Sequence, residues 1–164
     1  MEKSEITLRG TEPDDAPYLK SWLLDEDTLR WFPMFDEREV DDAVRIWVGY
    51  GKQESAITAC YKGVPCGMAT LYIQPYEKLR HQCLFSIIVD KEHRGMGVGR
   101  ILLQHLMKMG KEKFHLEILH LEVYEGNPAV KLYRRMGFKP FGRQKHFIKN
   151  NGKYAGKIFM QRNL

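Results

Sequence analysis

The chain predicts an α/β fold built on a central mixed, mostly antiparallel sheet with flanking helices, and three observations carry that prediction. Residues 55–61, 65–73 and 82–89 are β-rich runs with turn residues between them, so the middle of the chain reads as a meander. From residue 84 to 123 the order is strand, glycine-rich turn, amphipathic helix, strand, which implies a parallel pair joined by a right-handed crossover. Two final strand-like runs, 138–148 and 154–160, flank Asn150-Asn151-Gly152, a hairpin turn signal.

Taken in order, Ile6-Thr7-Leu8-Arg9 reads as a short strand, and Asp14 or Asp15 opens a helix whose Tyr18, Leu19, Trp22 and Leu23 recur at helical spacing. Trp31-Phe32-Pro33-Met34-Phe35 is an aromatic, proline-broken connection. A second helix begins near Glu37, carries Val40, Ala43, Val44, Trp47 and Val48 on one side, and ends at Gly49 and Gly51. Lys62-Gly63-Val64 turns the first hairpin. After the glycine-rich turn, Val98, Ile101, Leu102, Leu103, Leu106 and Met109 form an apolar helical stripe, and Leu119, Leu121 and Val123 alternate in the next strand. Asn127-Pro128 starts a short helix, since Asn caps free N–H groups and Pro suits the first helical position, and Gly137 stops it.

A chain of 164 residues, 43% hydrophobic and 29% charged, suits one domain over 1–164 with a real core. Met1-Glu2-Lys3-Ser4-Glu5 lacks the apolar run of a secretion signal, and no stretch approaches about 20 uninterrupted apolar residues, so the expectation is a cytoplasmic protein without a membrane span. Cys60, Cys66 and Cys83 are odd in number and lack C-x-x-C spacing, which favours buried reduced thiols over a disulfide or zinc site. His81, His93, His105, His115, His120 and His146 show no ligand-like spacing, and no metal is expected. The net charge of +5 is unevenly spread: acids crowd the N-terminal part and none follows Glu125, while Lys131, Arg134, Arg135, Lys139, Arg143 and further bases populate the C-terminal part. That distribution suits a polyanionic ligand.

The stretch richest in chemistry is Ile87-Ile88-Val89-Asp90-Lys91-Glu92-His93-Arg94-Gly95-Met96-Gly97-Val98-Gly99-Arg100. Alternate glycines allow tight bending and close approach, so successive N–H groups can converge on phosphate oxygens while the following helix adds its positive end. Arg94, Gly97 and Gly99 fill the pattern Gln or Arg, two residues, Gly, one residue, Gly or Ala. Asn127-Pro128-Ala129-Val130-Lys131-Leu132-Tyr133-Arg134-Arg135-Met136-Gly137-Phe138 follows at a suitable distance. In these two motifs the chain resembles the GCN5-related N-acetyltransferases, motif-grade over residues 84–138 and matching in element order elsewhere. The resemblance implies that family's fold, with its parallel strand pair splayed apart.

The resemblance further implies acetyl-coenzyme A as cosubstrate. Its pyrophosphate would lie on the N–H groups of Arg94, Gly95, Met96, Gly97, Val98, Gly99 and Arg100, and its pantetheine arm would pair with backbone around Ile88 and Val89. A splay leaves backbone groups unpaired that an amide-bearing arm can satisfy. Gly126 and Asn127 compete for the family's asparagine position. Tyr133 matches the tyrosine that protonates the departing thiolate, a role suited to a phenol that stays neutral near pH 7. For the base that accepts the amine proton, Glu122 is the first candidate by similarity to members acting on protein amino termini, with His81, Gln82, Ser86 and His120 as water-holding alternatives. Glu122 serves equally well as an ion-paired strand residue.

Asp25-Glu26-Asp27, Asp36-Glu37 and Asp41-Asp42 lie beside the 31–35 aromatics, which suggests a cationic amine drawn by acids and gripped by rings; helix capping and core filling account for the same residues. The expected activity is therefore acetyl transfer to a primary amine, either a small molecule such as a polyamine or amino sugar, or a protein amino group. A homodimer is an analogy to relatives. The alternative class is a non-catalytic acetyl-coenzyme A sensor or a nucleic-acid-binding module. Tyr133 argues against the sensor, and the lack of interleaved aromatics among the bases argues against nucleic acid.

Overall fold

The meander and the crossover join in one sheet. The structure, a computed structural model, describes residues 5–164. Residues 1–4, which carry most of the polar start read above, lie outside the described residues. The order is β1 (Ile6–Gly10), α1 (Ala16–Leu24), α2 (Glu26–Leu29), α3 (Glu37–Gly49), β2 (Ala56–Tyr61), β3 (Val64–Leu71), β4 (Gln82–Val89), α4 (Val98–Glu112), β5 (Ile118–Tyr124), α5 (Val130–Arg135), β6 (Lys139–Asn150) and β7 (Lys153–Asn163). The strands lie in the order β1-β2-β3-β4-β5-β7-β6. The β4–β5 pair is parallel and every other neighbouring pair is antiparallel.

Side-chain alternation divides the core between the two faces of this sheet. Cys83, Phe85, Leu119, Leu121 and Val123 pack on one face with Val98, Leu102, Leu103 and Leu106 of α4 and with Tyr133 and Phe138. Met68 and Ile88 point to the other, against Leu19, Trp22 and Leu23 of α1 and Val40, Val44 and Trp47 of α3. All three cysteines are free and buried. No described helix is long and apolar enough to cross a membrane.

Three local readings change. The first helix starts at Ala16 after a 3₁₀ turn over Pro13–Asp15, and Asp15 does not cap it. Asp15 is buried instead, accepting from both terminal nitrogens of Arg9 at 2.7 and 2.8 Å, from the Thr58 hydroxyl at 2.9 Å and from the Glu12 N–H at 2.9 Å. The sequence looked like a cap because an acid before a helix usually is one; here β1 and β2 bring better partners. A short α2 precedes the aromatic connection, and β3 stops at Leu71, the last residue in register with β4.

Burial pushes the Asp15 carboxyl up, but the hydrogen bonds from Arg9, Glu12 and Thr58 outweigh it and hold the group below its usual value. A depressed carboxyl contributes stability above its unfolded value of about 4 and loses it as pH falls through the folded value. Asp15→Ala is expected to cost about 2–3 kcal/mol in urea titrations at pH 7, with the gap to wild type narrowing as pH falls below the unfolded carboxyl value of about 4.

Candidate active site

The parallel pair is joined over only three residue pairs, Gln82 with Ile118, Cys83 with Leu119 and Leu84 with His120. Beyond Leu84 the strands part. β4 continues to Val89 on β3, and β5 continues to Tyr124 on β7. The wedge between them opens into a cleft of about 890 Å³. Tyr72 N–H bonds the Leu84 carbonyl and Asp90 N–H bonds the Cys66 carbonyl, so even-numbered β4 residues turn their backbone polar groups to β3. By alternation, residues 85, 87 and 89 turn theirs into the wedge. Ile88 therefore lines the cleft with its own N–H and C=O on the β3 side, whereas Val89 presents them inward.

At the mouth of the wedge lies the glycine-rich turn. Gly95 and Gly97 have φ of +75° and +87°, and the space where a Cβ would stand is open at both. α4 starts at Val98, and no side chain among the described residues caps it. Its first N–H groups are left pointing outward with the positive end of a 15-residue helix behind them. Gly99 faces α5, where a Cβ would come within 3.2 Å of Leu132. Arg94, Gly95, Gly97, Gly99 and Arg100 all line the cleft. Val98 is buried in the core, and the Met96 side chain lies outside the cleft.

Arg94 is more engaged than a free phosphate ligand would be. Its Nε donates to the Val89 carbonyl at 3.2 Å and a terminal nitrogen donates to the Thr28 hydroxyl at 2.7 Å. Thr28 in turn donates to Asp25 at 3.1 Å, whose other oxygen takes Lys91 at 2.9 Å. The turn and α2 are thereby strapped together. Asn127 lines the cleft, and its side-chain oxygen accepts from the Ala129 N–H at 3.0 Å, holding the entry to α5; Gly126 beside it has φ of +84°.

Glu122 and Tyr133 reach the cleft from opposite faces of the sheet. Tyr133 stands on the α4 face, its ring 6.1 Å from Phe85 and 6.3 Å from Phe138, and burial alone pushes its phenol above the ordinary range. Glu122 alternates with Leu121 and Val123, so it lies on the α1–α3 face, where Lys157 donates to it at 2.9 Å. The Lys157 ammonium sits 3.4 Å from the Phe147 ring centroid. His120 shares that face and bonds Gln82 at 2.6 Å; burial lowers its pKa against a smaller opposing pull from Glu122. Ser86, also in the cleft, accepts from the Tyr72 hydroxyl at 2.9 Å. His81 is exposed and outside the lining.

Sequence reasoning missed Thr28 and Lys157. Thr28 carries no motif signal, and Lys157 needed the hairpin register, which sets Tyr124 opposite Lys157 and Glu122 opposite Phe159. The acids of the N-terminal part are largely committed. Glu37 and Asp41 hold Lys20, Asp42 holds Arg45, Asp36 caps α3 through the Glu39 N–H, and Glu39 accepts from the Phe35 N–H.

A splayed parallel pair with an uncapped, glycine-framed helix at its mouth defines a binder of an extended, phosphate-bearing ligand. Residues 17–138 match the model of the acetyltransferase (GNAT) family, and the chain belongs to that family. It is similar to the L-amino acid N-acetyltransferase AaaT of Escherichia coli, at 29% identity over 65% of this chain and 66% of that protein, just short of two thirds of its length. It is also similar to a spermidine N(1)-acetyltransferase of Vibrio cholerae, at 28% identity over 92% of this chain and 88% of that protein. The structure of yncA from Salmonella typhimurium, determined with its cofactor acetyl-CoA, shares the fold at a TM-score of 0.81 with 18% identity, covering 97% of this chain and 94% of that one.

The strap through Arg94 has a measurable consequence. In Arg94→Ala, amide hydrogen exchange is expected to rise by about tenfold or more across residues 25–32, for the loss of one charge-assisted bond, while β3 stays protected. Unchanged protection at 25–32 would show that the strap does not hold α2.

Proposed function

We propose that the protein transfers an acetyl group from acetyl-coenzyme A to a primary amine, by direct attack within a ternary complex. The reading is carried by one observation: a wedge with unpaired backbone inside it, a phosphate-sized nest of N–H donors at its mouth, and an acid and a base candidate entering from opposite faces. The donor set fits the cosubstrate. The open space beside Gly95 and Gly97 admits phosphate oxygens, the α4 N–H groups supply convergent donors, and the Ile87 backbone and the Val89 N–H are offered to the amides of the arm, the Val89 carbonyl being taken by Arg94. Arg100 at the rim adds charge.

The amine must lose a proton as it attacks the thioester carbonyl, and the thiolate must be stabilised as it leaves. Glu122 takes the amine proton, directly or through water held with His120 and Gln82. The Lys157 contact keeps Glu122 oriented until then. Tyr133 donates from the other face. A phenol whose ionisation is disfavoured by burial remains protonated across the working range; on giving its proton to sulfur it becomes a phenolate, which takes a proton back from solvent through the cleft. A thiol relay has no support: burial pushes the Cys66 thiol up to about 11 and the Cys83 thiol to about 12, so neither supplies thiolate near pH 7.

The decisive measurement is release of coenzyme A thiol with a panel of amines. Tyr133→Phe is expected to lower kcat by about a hundredfold while leaving the KM for acetyl-coenzyme A within about threefold. Turnover equal to wild type would remove Tyr133 from the chemistry. Glu122→Gln is expected to lower kcat/KM by at least about tenfold, an effect that rising pH offsets because deprotonated amine becomes abundant.

A further inference from the structure

A second cavity of about 400 Å³ adjoins the cleft, lined by Arg30, Trp31, Tyr124 and Glu125 on one side and by Asn150, Asn151, Lys153 and Tyr154 of the closing hairpin on the other. Trp31 lines both spaces. β5 runs from one to the other, with Leu121, Glu122 and Val123 on the cleft and Tyr124 next to Glu125 on the cavity. The cavity therefore continues the cleft along β5, past Glu122 toward the closing hairpin.

The cavity's charge is one-sided. Glu125, its lone acid, is held by Arg143, and that contact keeps its carboxyl below the usual range. Arg30 and Lys153 have no ion-pair partner among the described residues. Arg30 is stacked 4.9 Å from the Trp31 ring centroid, which fixes its plane, and Lys153 follows a tight turn in which Asn151 and Gly152 both have positive φ. Asn150 and Asn151 add amide donors. The acids that were to attract a cation serve elsewhere: Asp25 holds Lys91, Glu37 and Asp41 hold Lys20, and Glu26 and Asp27 line neither space. A polyamine would set its distal ammonium against two free cations, whereas a carboxylate would find a planar guanidinium and an ammonium waiting.

We propose that the acceptor is a free amino acid, its carboxylate read by Arg30 and Lys153 while its amine faces Glu122; this rests on the transfer reading above. Relatives named for L-amino acids and for spermidine do not decide the matter, and the charge of this cavity does.

The test compares L-α-amino acids with their own amides and with spermidine, by calorimetric binding to coenzyme A-saturated protein and by thiol release. At least one amino acid is expected to bind about tenfold or more tighter than its amide, the size of one charge-assisted contact. The amide's amine is the less basic and more often neutral, so faster turnover of the acid would run against intrinsic reactivity. Arg30→Gln and Lys153→Gln, both at exposed positions, are each expected to bring acid and amide within about threefold by raising KM for the acid, with acetyl-coenzyme A affinity unchanged. Equal binding of acid and amide, tighter binding of spermidine, or an undiminished preference in both variants would overturn the proposal. Carboxylate-selective binding without thiol release would sink the transfer reading and leave Arg30 and Lys153 a carboxylate site without an acceptor role; thiol release with spermidine or amides as good as acids would overturn the amino-acid assignment and leave the transfer reading standing.

Discussion

Everything functional in this fold depends on the β4–β5 ladder ending after Leu84. An unpaired backbone edge inside a sheet is costly, about 1–3 kcal/mol for each polar group that stays dry and unsatisfied. The split is sustained because each strand is fully committed on its far side, β4 to β3 as far as Val89 and β5 to β7 along its whole length. Phe85, Tyr133 and Phe138 pack as a tilted and edge-on aromatic group beneath the divergence, with centroids 5.5 to 6.3 Å apart, filling volume that would collapse if the strands closed. Arg94 satisfies the carbonyl of Val89 at the open end.

The split also solves a topological problem. Groups on opposite faces of a continuous sheet cannot meet, because the backbone separates them. Here the wedge is the passage, so a carboxylate on the α1–α3 face and a phenol on the α4 face share one cleft while living in different surroundings. Glu122 is solvent-accessible and charge-paired; Tyr133 is buried among rings. Opposed surroundings of this kind suit a pair in which one group takes a proton and the other gives one.

Much of this was legible in the chain because the decisive signals are local. Alternation marked the strands, helical spacing marked α3 and α4, and Gly95, Gly97 and Gly99 marked the turn before any coordinates. Gly137, with φ of +88°, stops α5 where its position suggested. What stayed hidden depends on register and long-range packing. Asp15 looked like a helix cap because its true partners, Arg9 and Thr58, become neighbours only when β1 pairs with β2. Lys157 beside Glu122 required the β5–β7 register, and the N-terminal acids looked like a steering field because Lys20 and Lys91 are not their sequence neighbours. Spatial pairing of charges is the information that composition discards.

The contact between Arg94 and Thr28 links the two ends of the cleft. A guanidinium has five donors, and Arg94 spends its Nε on Val89 and a terminal nitrogen on Thr28, leaving the others for the cleft. Thr28 lies on the short α2, two residues before Arg30 and three before Trp31, which lines both the cleft and the second cavity. A four-residue helix has too little internal stability to hold its own position, so its placement follows its tertiary contacts, of which Arg94 and the Lys91–Asp25 pair are the charged ones. The glycine-rich turn and the segment that carries Arg30 and Trp31 are therefore joined through Arg94 and through the Lys91–Asp25 pair.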